Sequence, residues 1–429
     1  MVYYQQYKKT DQFWLASIPA AWKCLKIKHI FSERSQKGFP EEPLLVASQN
    51  MGVVPKNVYG TRTVEAQKDL HLLKLVRIGD FVISLRSFQG GIEYAYYQGI
   101  ISPAYTIMIP SEVISPQYFR YLGKSKLFVE LLKTCVTGIR EGQNIDYQKL
   151  KNYKIPVPPR SEQDQIVRYL DWQVSKINRL ILAKKKEIEL VRECIDREFR
   201  NITITNCQQI KIKRLFKLEN NMIEPHPDEY YQKAGMYNRG RGIFLREPCV
   251  GAELGDSSFQ RIFKDRVMLS GQFAWEDAVY ITLEKDEKGI ASHRYYLLCP
   301  IDDVSVEYLF AYFLSSDGFF NLQQCSHGSA GRNRPLNIKE VLNLSIPVPL
   351  DESADRNLVM LVRNYMALQV AVKQEETLLH EYKNKLISDV VTGRMDVRGI
   401  EVPDYEYVED EAEETDEESD GSMEEEDGQ

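Results

Sequence analysis

Four short segments of the 429-residue chain gather glycine with arginine, glutamine and asparagine. The first two are Arg86-Ser-Phe-Gln89-Gly-Gly91 and Ser270-Gly-Gln272-Phe-Ala-Trp275. The second two are Thr137–Asn144, with Gly138, Arg140, Gln143 and Asn144, and His327–Arg334, with Gly328, Arg332, Asn333 and Arg334. Glycine lets backbone approach a phosphate closely, Arg, Gln and Asn offer paired hydrogen bonds that fit purine edges, and an aromatic can stack or wedge. A fifth segment, Asn238–Gly242, carries Arg239 and Arg241 and suits phosphate. The plainer alternatives are an ordinary turn with a core aromatic for the first pair and a solvated surface loop for the second.

Other chemistry is excluded. The six histidines form no H-x3-H pair and the seven cysteines no C-x-x-C, so no metal site is expected. Gly123-Lys124-Ser125 mimics the end of a phosphate-binding loop, but Tyr118 stands where its first glycine is required. No Asn/Asp-Pro-Pro-Tyr clamp for methylating an amino group and no nuclease-type carboxylate spacing occurs. The chain is therefore expected to be no enzyme and to need no cofactor. No leader is apparent, no apolar stretch approaches the roughly 18 residues of a membrane span, and the odd cysteine count points to reduced thiols, hence a cytoplasmic location.

The candidate segments fall at matching places in an internal repeat. KIKHIF at Lys26 matches KIKRLF at Lys211, and Gly79-Asp80-Phe81-Val82 matches Lys264-Asp265-Arg266-Val267, both at an offset of 185. GIISPAYTIMIP at Gly99 matches GIASHRYYLLCP at Gly289 at 190, and I-P-V-P at Ile155 and Ile346 gives 191. Each repeat reads as a compact α+β domain. Its β-runs are Asp80–Leu85 and Tyr105–Ile109, then Val267–Leu269 and Tyr295–Leu298, and helical stretches follow near Tyr118–Thr134 and Tyr308–Gln323.

Each repeat closes with a long run free of Pro and Gly. Its seam passes through Leu170, Val174, Ile177, Ile181, Lys184 and Ile188, then Val191, Ile195 and Phe199. The second seam, 191 residues on, is Leu361, Tyr365, Leu368, Val372, Glu375 and Leu379, then Tyr382, Leu386 and Val390. Steps of three and four are the signature of a helix offering one seam to a partner. Antiparallel pairing of the two is expected, with Ser161 and Ser353 as N-caps and Gly393 as a stop. Lys184 and Glu375, the charged seam residues, occupy equivalent positions and are expected to help set register, unless both reach out to water. The expected domains are 1–160, a spacer helix 161–205, 206–352, a second spacer helix 353–397, and an acidic disordered tail 398–429.

The formal charge of −7 conceals a division. Residues 401–429 hold 16 Asp and Glu and no Lys or Arg; the rest is +9, with +10 on residues 1–160 and −3 on 206–352. The tail is expected to solubilise, or, more sharply, to compete with DNA phosphates for the basic body.

The run IPVPPRSEQDQIVRYLDWQVSKINRLI at Ile155–Ile181, with its weaker copy IPVPLDESADRNLV, resembles the specificity subunit of type I restriction-modification systems. The copy lacks the Glu-Gln pair. The resemblance implies two target-recognition domains, each gripping half of a split, asymmetric site on double-stranded DNA. The helices would act as a ruler and dock two methyltransferase (modification) subunits, to which restriction subunits can add. It also places the Thr137–Asn144 segment at a DNA-facing loop. Two other readings stay open: an orphan DNA-binding regulator of the same fold, and a helical adaptor that joins proteins without DNA.

Overall fold

The computed structural model describes residues 2–59, 69–138, 144–204, 207–255, 257–302, 304–328, 334–350 and 352–409, with backbone alone at 352–355. The chain forms two compact units. The first runs to Leu182 and resumes at Glu376; the second is Ala183–Glu375.

In the first unit β1 (Lys23–Lys26), β2 (Phe31–Arg34), β3 (Phe81–Ile83), β4 (Glu93–Tyr94) and β5 (Thr106–Pro110) precede helices α1 (Pro116–Lys124) and α2 (Lys126–Thr134), and β6 (Lys154–Val157) closes it. Helix α3 (Arg160–Ile204) follows. The second unit repeats the order with β7 (Cys207–Lys211), β8 (Phe216–Leu218), β9 (Val267–Ser270), β10 (Val279–Ile281), β11 (Tyr295–Pro300), α4 (Val306–Leu314), α5 (Ser316–Gln324) and β12 (Ser345–Pro349), and α6 (Glu352–Val391) follows. Both four-stranded sheets have one strand order, β2-β5-β3-β4 and β8-β11-β9-β10, and each repeat also pairs an early strand with the strand before its long helix, β1 with β6 and β7 with β12. The Tyr118 hydroxyl donates to the Pro156 carbonyl and the equivalent Tyr308 hydroxyl to that of Pro347. The duplication is thus built into the hydrogen bonding. The second unit adds a further sheet in which Tyr230–Met236 pairs with Ile243–Leu245 and runs parallel to Gly289–Ser292.

The ladders correct one match of the repeat. Ile107 pairs with Val82, whereas its counterpart Leu297 pairs with Met268, so β3 and β9 correspond at 186 rather than 185. The left-handed turn residues before these strands, Gly79 and Asp265, agree with that shift. The helical stretches are also corrected: each is two helices, broken where Ser125 and Ser315 turn extended. Their hydroxyls accept from Phe128 N at 3.4 Å and Gly318 N at 3.2 Å, which caps the second helix of each pair.

Helix α3 starts at Arg160, so Ser161 is not its cap; the Pro159 carbonyl instead accepts from the amides of Glu162 and Gln163. Gly393, at φ +75°, ends α6 as expected, since a left-handed residue beyond the last turn costs glycine least. In the first unit Ile166, Leu170 and Val174 share a core with Leu386 and Val390, and in the second Ile195 and Phe199 share one with Leu358, Val362 and Tyr365. The start of each helix meets the end of the other, so α3 and α6 pack antiparallel.

Along the seam Val174, Ile177, Ile181, Tyr365 and Val372 are buried, while Ile188, Leu361, Leu368 and Leu379 are half-buried. Tyr382, expected inside, is 51% exposed. Its neighbour Lys383 is buried instead and donates to Asn178 Oδ1 at 3.5 Å. Lys184 and Glu375 do meet, Nζ to Oε2 at 3.0 Å, with both side chains open to solvent. Solvent screens such a pair, so a charge-swap double-mutant cycle on complex assembly should show weak coupling that fades with salt. Coupling indifferent to salt would contradict this.

Residues 400–409, within the expected tail, lie along α3 after a turn at 398–399. Asn178 Nδ2 donates to the Val408 carbonyl at 3.0 Å, Val408 N to Ser175 Oγ at 3.2 Å, and Gln165 Nε2 to the Ile400 carbonyl at 2.7 Å. The remainder of the tail lies outside the described residues.

Candidate nucleic-acid interface

Three of the sequence-derived segments come together in the second unit. After β9 the Ser270 hydroxyl accepts from the amides of Gln272 and Phe273, which turns the chain into a single helical turn at Ala274–Glu276. Phe273 packs on the core. Trp275 stays half-buried, its indole N–H donating to the Gln272 carbonyl at 3.0 Å, and the Arg334 guanidinium lies over its ring at 4.9 Å. Such stacking holds a guanidinium plane in place without consuming its hydrogen-bond donors. Leu336 N donates to the Gly271 carbonyl at 2.8 Å, a Ser326–Leu336 bridge lies two residues before Gly328, and His327 N donates to the Pro335 carbonyl.

The Asn238–Gly242 turn lies against the same place, with Arg239 N donating to the Glu276 carbonyl at 2.9 Å and Gly240 N to that of Asp277 at 2.8 Å. The two arginines differ. Arg239 is exposed on a left-handed residue, whereas Arg241 folds back onto Asn238 Oδ1 at 2.7 Å and the Tyr237 ring. Arg241 therefore braces the turn, and Arg239 is the more exposed of the two arginines expected to face phosphate. Beneath the turns Asp277 is buried and accepts from Arg192 of α3. Burial pushes its carboxyl up, and Arg192 opposes the shift.

In the first unit Arg86 is exposed just before the short helix Ser87–Gly90 and Gln89 is exposed on it, while Phe88 packs on the core. Gly91, at φ +95°, could carry no Cβ, which would meet the Gly123 carbonyl at 2.5 Å. At the two ends of the Thr137–Asn144 segment Val136–Thr137 pairs with Asn144–Ile145, Gly138 sits at φ +92°, and the Asn144 side chain accepts from Ile145 N. Arg140 and Gln143, and in the second unit Arg332 and Asn333, lie outside the described residues.

Three residues that support this loop were missed. Gln49 donates to the Arg86 carbonyl at 3.3 Å, and Lys124 bonds both the Gln49 carbonyl at 2.5 Å and Glu93 Oε2 at 2.6 Å. Lys124, which read as a false phosphate-loop lysine, is thus the partner of a buried carboxylate. Burial pushes Glu93 up to about 7, with Lys124 pulling the other way. A carboxyl whose folded pKa lies above its unfolded one binds protons more readily when folded, so stability declines as pH rises between those values. Wild-type unfolding free energy should therefore drop from pH 5 to pH 8, and Glu93→Gln should flatten that slope. Urea midpoints across the range test it; parallel curves would refute it.

The Glu-Gln pair of the motif also has a structural role. Gln163 is fully buried, accepting from Ser115 N at 2.6 Å and donating to the Val113 and Pro158 carbonyls at 3.1 and 2.9 Å. Buried Glu162 accepts from the Tyr4 hydroxyl. Among the described residues no His, Cys, Asp and Glu cluster could hold a metal ion, and no helix is long and apolar enough to cross a membrane.

Residues 50–190 match the family model described as the type I restriction modification DNA specificity domain. A chain from a structure concerning complex assembly and conformational transition of the type I R-M system aligns over 88% of this chain and 99% of its own, at 14% identity and TM-score 0.54, which establishes the fold. The HsdS subunit from Thermoanaerobacter tengcongensis (13% identity, TM-score 0.42, 88% and 98% covered) and the S subunit from M. genitalium (13%, 0.37, 90% and 99%) also align. No curated protein matches. Residues 50–190 are thus similar to the type I restriction modification DNA specificity domain, and the chain shares its fold with a chain of a type I R-M system.

Proposed function

We propose that this chain is the non-catalytic DNA-recognition subunit of a type I restriction-modification complex, working in the cytoplasm. Its domains at 1–160 and 206–352 each read one half of a split, asymmetric duplex target, and α3 and α6 serve as the spacer between half-sites. The observation that carries this reading is the convergence of Gln272, Trp275, Arg239 and Arg334 on one face of the second unit, within a chain whose residues 50–190 match the specificity domain. Arg86, Gln89, Gly138 and Asn144 supply the corresponding face of the first unit, together with Arg140 and Gln143. Arg332 and Asn333 complete the second.

Methyl transfer then belongs to two modification subunits docked on the helices, with restriction subunits in the larger complex. Exposed apolar positions on α3 and α6 support docking: Leu180, Leu378 and Tyr382 in the first unit, and Leu190, Met360 and Val370 in the second. A solvated helix face does not ordinarily carry so many. Methylated adenines should be mapped by long-read sequencing in cells with and without this chain beside its modification subunit. A split motif that disappears with the chain is the expected result, and a methylome indifferent to the chain would reject the proposal.

A further inference from the structure

The equivalent ion pairs of the two repeats have opposite polarity. In the first unit Arg34, at the end of β2, bonds Asp80, just before β3, through two contacts of 2.8 and 3.0 Å, with both side chains at or below 9% exposure. Their equivalents, at offsets 185 and 186, are Glu219 and Arg266, which form an ion pair of 2.9 Å with side chains 12% and 21% exposed. Each pair spans the sheet beside the middle strand, since Arg34 pairs across Ile107 and the Glu219 amide bonds the carbonyl of Leu297, the counterpart of Ile107.

The apolar residues of the sheets do not distinguish the repeats. Phe31 corresponds to Phe216, Phe81 to Val267, Val82 to Met268, Ile83 to Leu269 and Ile107 to Leu297, in the same strand order and register. A β2 strand set into the second sheet would bury its apolar side chains equally well. Such exchange is a characteristic failure of tandem repeats. The ion pairs would then stand wrongly, with Arg34 against Arg266 and Glu219 against Asp80. Buried like charges are strongly unfavourable because neither can be neutralised by its neighbour.

We propose that this inversion keeps the two repeats from exchanging strands while the chain folds. The inference does not depend on the DNA-reading assignment. The test is refolding of the full chain from denaturant, scored as the yield of native protein. Arg34→Glu with Asp80→Arg gives both repeats one polarity, and adding Glu219→Arg with Arg266→Asp restores opposition in the reverse sense. The two-residue variant should lose yield several-fold, and the four-residue variant should return to within about twofold of wild type. Wild-type yield for the first variant overturns the proposal. So does equal failure of both, because the loss would then come from local packing.

Discussion

Replacing Arg192 with leucine should destabilise the second unit by on the order of 3 kcal/mol, the usual cost of leaving one member of a buried ion pair alone. Asp277 is 2% exposed, its second carboxylate oxygen has no hydrogen-bond partner, and its first depends on Arg192. Without the guanidinium the carboxyl rises further, so the variant should recover stability as pH falls and the buried group protonates. Wild type should show less of that recovery. Adding Asp277→Asn to the variant removes the stranded charge and should restore most of the loss. Urea unfolding of the three proteins at pH 5 and pH 8 decides the matter; a single-variant deficit that is the same at both pH values would rule out a stranded carboxylate. Because Asp277 and Glu276 carry the Asn238–Gly242 turn on their carbonyls, the unfolding should be preceded by loosening of Arg239.

Arg334→Ala should weaken binding to the cognate duplex about tenfold or more, within the roughly 1–3 kcal/mol of one bidentate base contact. The effect should be confined to one half of the target, because Arg334 and Trp275 belong to the second unit. Lysine should not rescue it, since an ammonium cannot stack as a plane on the indole. Trp275→Ala should reproduce much of the loss by freeing the guanidinium. Titrations over a salt series, with the target and with duplexes altered in either half, separate the possibilities. A uniform loss across all sequences, with a shallower salt dependence, would reassign Arg334 to phosphate.

The architecture was legible in the sequence because a repeat constrains each half twice. The antiparallel helices followed from seams spaced by three and four, and the four-stranded sheets from short apolar runs at matched offsets. The β3–β9 register was not legible: Val82 and Val267 align as letters, and only the ladder to Ile107 and Leu297 shows the extra residue. Tyr382 was misplaced for a similar reason. A tyrosine scores as apolar and a lysine as polar, yet Lys383 buries its stem because Asn178 receives its ammonium. In the candidate interface the segments were found by composition, and the Arg334–Trp275 stack joins two of them 59 residues apart in the chain. The support offered by Gln49, Lys124 and Glu93 had no local signature, since those residues meet only in three dimensions.

The pairing of β1 with β6 and of β7 with β12 bears on how such a chain can diversify. Lys26 lies opposite Lys154, and Lys211 opposite Ser345, so the segment between each pair leaves and returns on adjacent strands about 5 Å apart. Everything between residues 212 and 344 hangs from that doorway. A different insert whose ends meet at the same two strands, and which renews the contacts that Asp277 makes with Arg192, Tyr308 with Phe199 and Tyr280 with Gln369, would leave α3 and α6 undisturbed. Genetic exchange bounded by the two strand-coding segments can therefore replace one domain as a block, provided that its contacts to the helices are kept.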